Sequence, residues 1–244
     1  KFAKDNRWGY FPSAAFAWNI LNEPFMKNQE VVSNLKLRLG YGQTGQQEIG
    51  DYQYLSRYSL SQNVTDQAYM GKDGWNYFWS PAAYDPNIKW ETTTTYNIGV
   101  DFGFLDGRIA GSVDVYRRDT KDLLNRVTTP LGANFGNSLM TNVGEMRNTG
   151  VEVSLDFTPV RTKDWNLRIG LNGTYQHTEF IKLNNTGDEN YFVDQGGLSK
   201  GTGGVGATIH QVGSKPYSFY LFQQLYDNNG KPIQNALVDR DGDG

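Results

Sequence analysis

Residues 89–124 read KWETTTTYNIGVDFGFLDGRIAGSVDVYRRDTKDLL, and their periodicity decides the fold. Taken in steps of two, Tyr96, Ile98, Val100, Phe102 and Phe104 fall on one face, and Asn97, Gly99, Asp101 and Gly103 fall on the other. That alternation is the mark of a half-buried strand. Leu105-Asp106-Gly107-Arg108 follows, and Asp-Gly between two alternating runs predicts a hairpin, because a primed turn needs the positive φ that Asp and Gly tolerate. On the return, Ile109, Gly111, Val113 and Val115 continue the apolar face, against Ala110, Ser112, Asp114 and Tyr116.

The same two-faced pattern recurs on both sides. RWGYFPSAAFAWNI places Trp8, Tyr10, Pro12, Ala14, Phe16, Trp18 and Ile20 together, with aromatics at both ends of an apolar band. This fits the two interfacial girdles of a membrane barrel strand and also a sandwich strand with buried aromatics. Pro12 cannot donate to a ladder and predicts an irregularity there. Leu21 to Asn34 reads as a connector with a helical turn at Glu23-Pro24. Leu35, Leu37, Leu39 and Tyr41 then alternate with Lys36, Arg38 and Gly40. The longest alternation runs from Val143 to Pro159, and after a short link at Val160 to Asp164 another strand runs from Trp165 to about Phe180. Pro216 to Tyr226 reads as one more strand, before an Asn229-Gly230 turn.

Three stretches lack periodicity: about forty residues after Gly45, Asp119 to Asn142, and Lys182 to Lys215. Long loops of this kind are usually functional or disordered. All three fall at one end of the strands, whereas the links at the other end are tight or intermediate, the asymmetry of an up-and-down barrel rather than a Greek-key sandwich. Mid-strand charges at Arg38, Asp101, Asp114, Glu152, Asp156 and Arg168 suit a wet lumen, although a sandwich could turn them to solvent.

Composition agrees with an all-β chain of many strands and turns: fifteen Tyr, thirteen Phe, six Trp and 28 Gly in 244 residues. No run approaches the roughly 20 apolar residues of a membrane helix, but a barrel strand needs only about 9 to 11 alternating ones. A net charge of −3 without a basic stripe argues against a nucleic-acid partner. The absence of Cys removes disulfides and thiolate metal sites. The chain starts at Lys1 without an initiator Met or signal pattern and stops at Gly244 inside a motif, so an internal piece of a longer protein is expected.

Motifs for chemistry are few. His177 and His210 have no acidic partner at catalytic or zinc spacing. Gly201 to Gly206, GTGGVG, has the letters of a dinucleotide fingerprint but no preceding strand or following helix, so it reads as a Gly-rich loop. In the terminal DRDGDG, Asp239, Asp241 and Asp243 with Gly244 match the first half of a Ca²⁺ loop, a reading that stands beside a bare Asp-Gly turn. Trp75, Tyr77 and Trp79 in the first long loop either stack on substrate sugar rings or pack the loop onto itself. No constellation supports an enzyme.

Several blocks together resemble one family. YDPNIKWETTTTYNIGVDFGFLDGRIAGSVDVYRRDTKDLL is similar to the signature barrel segment of the SusC/RagA TonB-dependent outer-membrane transporters of Bacteroidetes, and RWGYFPSAAFAWNI, LKLRLGYGQTGQQEIG, NVGEMRNTGVEVSLDFTPV and VDRDGDG are similar to its other blocks, in order. The resemblance implies that residues 1–244 are part of a barrel domain of about 22 antiparallel transmembrane strands, with short periplasmic turns, long extracellular loops, and the plug, TonB box and C-terminal strands absent from the sequence. It further implies import of large nutrients, glycans first and peptides second, with energy from TonB, beneath a SusD-like surface lipoprotein and in contact with outer-membrane lipid. The competing expectation is a soluble β-sandwich that binds glycans. On the barrel reading, Phe102, Phe104 and Ile109 face lipid near a periplasmic turn, Asp101 and Asp114 face the lumen, and a charge is expected to be harmful at Val100 or Val113 and tolerated at Gly99 or Ser112.

Overall fold

The computed structural model describes residues 1–60, 68–128, 138–184, 187–188, 190–197 and 206–238. In chain order its strands are β1 (Ser13–Asn19), β2 (Val32–Gln46), β3 (Arg57–Leu60), β4 (Ala68–Gly71), β5 (Gly74–Tyr77), β6 (Trp79–Ala82), β7 (Glu91–Phe104), β8 (Ile109–Thr128), β9 (Ser138–Arg161), β10 (Asn166–Lys182), β11 (Phe192–Gly197), β12 (Gly206–Gln211), β13 (Ser218–Phe219), β14 (Gln224–Tyr226) and β15 (Pro232–Leu237). Six of them form one antiparallel sheet in the order β1-β2-β7-β8-β9-β10, an open wall.

Register turns the one-dimensional alternation into rows across the wall. Phe104, Ile109, Phe157 and Ile169 make the first outward row. Leu35, Phe102, Gly111, Leu155 and Leu171 make the second, and Trp18, Leu37, Val100, Val113 and Val153 the third. Phe16, Leu39, Ile98, Val115, Val151 and Tyr175 form the fourth, and Tyr41, Tyr96, Arg117, Thr149 and His177 close the band. Phe104 to Tyr96 is eight residues, about 26 Å at ~3.3 Å per residue, which a strand tilt of about 40° projects to about 20 Å. That height is close to the roughly 25 Å apolar band of an outer-membrane barrel.

Nothing packs on this face among the described residues: Ile98 is 55% and Val115 50% exposed. A sandwich would bury such a face under a second sheet, so this architecture is not one. Among the described residues the buried apolar side chains, Phe2, Ile88, Val143, Phe180, Leu183 and Ile209, lie instead beyond the band.

Several elements differ from their sequence reading. The first strand starts at Ser13 rather than Trp8, because Pro12 has no N–H to give and the chain before it turns away, carrying Phe11 to within 5.5 Å of Trp90. The turn at Glu23-Pro24 is present as a short 3-10 helix, Pro24–Met26, with Pro at its start. The loop after Gly45 holds two antiparallel pairs, β3 with β6 and β4 with β5. Most of Asp119 to Asn142 is strand: β8 and β9 stay paired to Thr128 and Ser138, well past the apolar band, with register shifts around Leu123. Periodicity is masked there by the shifts and by water on both faces. Likewise the third loop contains β11 and β12, paired along their length. Pro216 to Tyr226 is two short strands rather than one: Tyr217, at φ 58°, lies in the turn before β13, and residues 220–223 separate β13 from β14.

The hairpin turn between β7 and β8 has three successive left-handed residues, Leu105 (φ 53°), Asp106 (54°) and Gly107 (75°), closed by the Arg108 amide on the Leu105 carbonyl at 3.1 Å. Leu is poorly suited to that region, where a Cβ costs about 1–2 kcal/mol. In the full-length barrel, Gly107→Val is therefore expected to lower stability by about 1–2 kcal/mol and Leu105→Asn to raise it by up to about 1 kcal/mol. Urea titrations followed by heat-modifiable gel migration check both, and equal midpoints for the two variants contradict the turn geometry.

Candidate functional site

The inner face of the wall carries its charge in mid-strand. Arg38 on β2 donates from Nε to both oxygens of Asp101 at 3.0 Å and from Nη2 to Asp101 Oδ1 at 2.8 Å, while the same Nη2 reaches Asp114 Oδ2 on β8 at 2.8 Å. Gly99 lies between them in register. A Cβ there would sit 2.4 Å from Asp114 Oδ1 and 2.7 Å from Arg38 Nη2, so the glycine is the space through which one arginine spans two strands. The face of Gly99 is polar, as read, and the Arg38 guanidinium lies over it, so a side chain there has to move Arg38 or Asp114. Asp156 is held by Arg168, Nη2 to Oδ2 at 2.8 Å, nearer the tight-turn end.

At the opposite end, residues 85–91 cross the projecting part of β8 and β9 and are pinned there. Lys89 exchanges two backbone hydrogen bonds with the Asn142 amide, both 2.9 Å, and its Nζ lies 2.9 Å from Asp122 Oδ2. Beneath this crossing Ile88 is fully buried. The N-terminal segment locks it from above: Asn6 Nδ2 donates to the Asn87 carbonyl at 2.9 Å, Trp90 Nε1 donates to the Asn6 carbonyl at 3.1 Å, and Phe2 stacks on Trp90 at 5.3 Å.

A cavity of about 730 Å³ opens beside this crossing, between the first loop and the tops of the strands. Glu48, Arg57, Tyr84, Glu91 and Arg126 supply its polar wall. Arg57 Nη2 donates to Gln53 Oε1 at 2.7 Å, Arg126 Nη1 donates to Ser138 Oγ at 3.2 Å, and Glu91 Oε1 accepts from the Leu124 amide at 2.8 Å. Planar polar groups fixed by neutral neighbours, with one phenol, can grip a polar solute by paired hydrogen bonds. Sequence reading missed this set because its members are scattered over some eighty residues and are gathered only by the 85–91 crossing.

The aromatics singled out from the sequence are split. Trp75 and Tyr77 share a face of the β4–β5 hairpin with Met70, which lies opposite Trp75. Trp79 belongs to the other pair, opposite Leu60. All three are exposed, Trp79 at 66%. His177 sits at the outward rim, 3.6 Å from Glu179, and burial between Phe180 and Tyr217 pushes the His210 imidazole below its ordinary range. Asp239, Asp241 and Asp243 lie outside the described residues, as does GTGGVG except for Gly206, which starts β12. Among the described residues no three His, Cys, Asp or Glu side chains are grouped to hold a metal, and no helix is long and apolar enough to cross a membrane.

A family model described as TonB dependent receptor-like, beta-barrel, matches residues 1–234. The chain belongs to this family. TonB-dependent receptor SusC of Bacteroides thetaiotaomicron is 45% identical over 100% of the chain and 24% of its own length. A TonB-dependent receptor of Formosa agariphila is 36% identical over 68% of the chain and 16% of its own. Among solved structures, the RagAB peptide importer in its 'open-open' state superposes with a TM-score of 0.72 at 30% identity, over 92% of this chain and 22% of that one. The chain thus spans about a quarter of the length of the relatives it matches. The six-stranded sheet is a stretch of outer-membrane barrel wall: its apolar rows face lipid, its Arg38 face lines the lumen, its tight turns are periplasmic and its long connections extracellular.

In the full-length protein, Val100→Lys or Val113→Lys is expected to weaken the folded barrel by about 2–4 kcal/mol, and Ser112→Lys by less than about 1 kcal/mol. Gly99→Ala should cost about 1–3 kcal/mol by displacing Arg38. Combined with Arg38→Met it should cost little more than either change alone, since both remove one contact. Denaturant unfolding in lipid measures each variant, and additive Gly99 and Arg38 effects would count against the shared space.

Proposed function

We propose that the full-length protein imports large nutrients across the outer membrane in a TonB-dependent manner, with glycans as the first class of cargo and peptides as the second. This piece contributes wall and extracellular mouth, and acts by holding cargo without making or breaking covalent bonds. The single observation that carries the reading is whole-length likeness to SusC at 45% identity. The cavity bounded by Arg57, Tyr84, Glu91 and Arg126 lies at the mouth, where cargo enters, and its polar lining suits hydroxyl-rich or amide-rich solutes alike. Trp75 and Tyr77 add an exposed aromatic face suited to stacking on sugar rings. A SusD-like surface lipoprotein closing over this mouth is part of the proposal, supported by the likeness to SusC and to the RagAB assembly.

The peptide reading has its own support, in the 30% identity to a structure described as a peptide importer. Uptake of fluorescent maltooligosaccharides, uronate oligosaccharides and mixed oligopeptides by cells carrying the full-length gene separates the two. One class should accumulate only with the intact gene and an energised inner membrane. Arg126→Ala and Tyr84→Ala should each reduce that uptake about tenfold, equivalent to about 1.4 kcal/mol of lost binding. Uptake that survives deletion of the gene, for every cargo, would refute the assignment.

A further inference from the structure

The lipid-facing side carries a feature that import does not use. Between Tyr96 on β7 and Tyr175 on β10 the surface dips into a groove of about 330 Å³, with Val115, Thr149 and Val151 as its floor. Short β-branched side chains between two tall phenols make the trough, and three strand spacings make it about 14 Å wide at ~4.8 Å each. Its lining is almost wholly apolar, and Arg117 closes its upper end.

Arg117 is not alone there. Its Nε donates to Asp119 Oδ2 at 2.7 Å, and Arg147 Nε donates to Asp119 Oδ1 at 2.7 Å, so one carboxylate holds two guanidiniums side by side. Both arginines engage Asp119 through Nε, and their Nη groups make no hydrogen bond to the described residues. Of the other nearby carboxylates, Glu179 lies opposite Arg147 in register, beside the neutral His177, and Glu145 lies opposite Lys182. Lys121 lies one row further out. Against Asp119, Glu145 and Glu179, the cations Arg117, Lys121, Arg147 and Lys182 leave this stretch one excess positive charge, from the row of Tyr41 and Tyr96, where the apolar band meets the headgroups, outward.

We propose that the Tyr96–Tyr175 groove and the Arg117–Arg147 pair form a binding site for a phosphate-bearing lipid of the outer leaflet. An acyl chain lies along Val115 and Val151, and the phosphate takes the open Nη forks, the bidentate geometry in which arginine exceeds lysine. Asp119 is a positioning residue that fixes the two forks.

The test uses the full-length barrel in mild detergent, with lipid binding read by native mass spectrometry. Phosphatidic acid is expected to bind at least tenfold more tightly than phosphatidylcholine, and R117Q/R147Q to remove that preference, each charge at a membrane surface contributing about a fivefold effect. V151W, which fills the trough and leaves the arginines, should weaken phosphatidic acid equally, whereas inorganic phosphate alone should not bind. Heat-modifiable migration shows which variants are folded barrels; if R117Q/R147Q does not assemble, R117K/R147K serves in its place and should lose severalfold in affinity. Equal binding of the two lipids, insensitivity to both the arginine and V151W changes, or equal capture of free phosphate would overturn the proposal.

Discussion

A backbone facing hydrocarbon has no water to satisfy its amides, and each unpaired group costs several kcal/mol. That constraint organises this wall. From the row of Phe102 to the row of Tyr96, the ladder linking β2, β7, β8 and β9 runs without a register shift. The shifts that do occur lie at or outside the band: between Val32 and Asn34 and between Leu167 and Ile169 at the periplasmic end, and between Thr120 and Leu123 and between Phe180 and Lys182 beyond the extracellular girdle. Irregular backbone appears where water can meet its hydrogen bonds.

An unbroken ladder makes side-chain direction strictly alternate, so one sequence builds two surfaces with different solvents. Outward, rows of Val, Ile, Leu and Phe need only be apolar. Inward, Arg38 reaches both Asp101 and Asp114 across Gly99, where a Cβ would force the Arg38 and Asp114 side chains to shift. Past the girdle both faces are wet, and the chain builds its buried clusters there from loops and projecting strands, with Ile88 and Val143 among their members. The cavity near Arg126 belongs to that region, so the surface that meets cargo is held by tertiary contacts, and the surface that meets lipid is held by the ladder.

This division also explains what could be read from the chain. The alternation of Tyr96 to Phe104, Ile109 to Val115 and Thr149 to Phe157 identified the wall and both its faces, because period two survives wherever one face is lipid. It failed at Asp119 to Asn142, where strands continue with water on both sides and the register slips around Leu123, and at Pro216 to Tyr226, where residues 220–223 separate two short strands. Trp75, Tyr77 and Trp79 were legible as one aromatic group, but only Trp75 and Tyr77 share a face, and Trp79 is on the β3–β6 pair. Arg57, Glu91 and Arg126 had no spacing to betray them, since the Asn142 clasp on Lys89 is what brings their segments together. The demand on Gly99 was invisible for a different reason: a glycine on a polar face looks permissive until the arginine crossing it is seen.

The central claim is that β7 separates lipid from lumen residue by residue. Residues 1–244 contain no Cys; in the full-length protein, with any Cys outside them replaced, single cysteines from Tyr96 to Phe104, reconstituted in lipid, can be scanned with a membrane-impermeant maleimide and a lipid-phase quencher. Positions 97 and 101 should label from water and escape the quencher, while 98, 100 and 102 should resist the maleimide and be quenched. Uniform labelling along the strand, or the reverse alternation, would contradict the account.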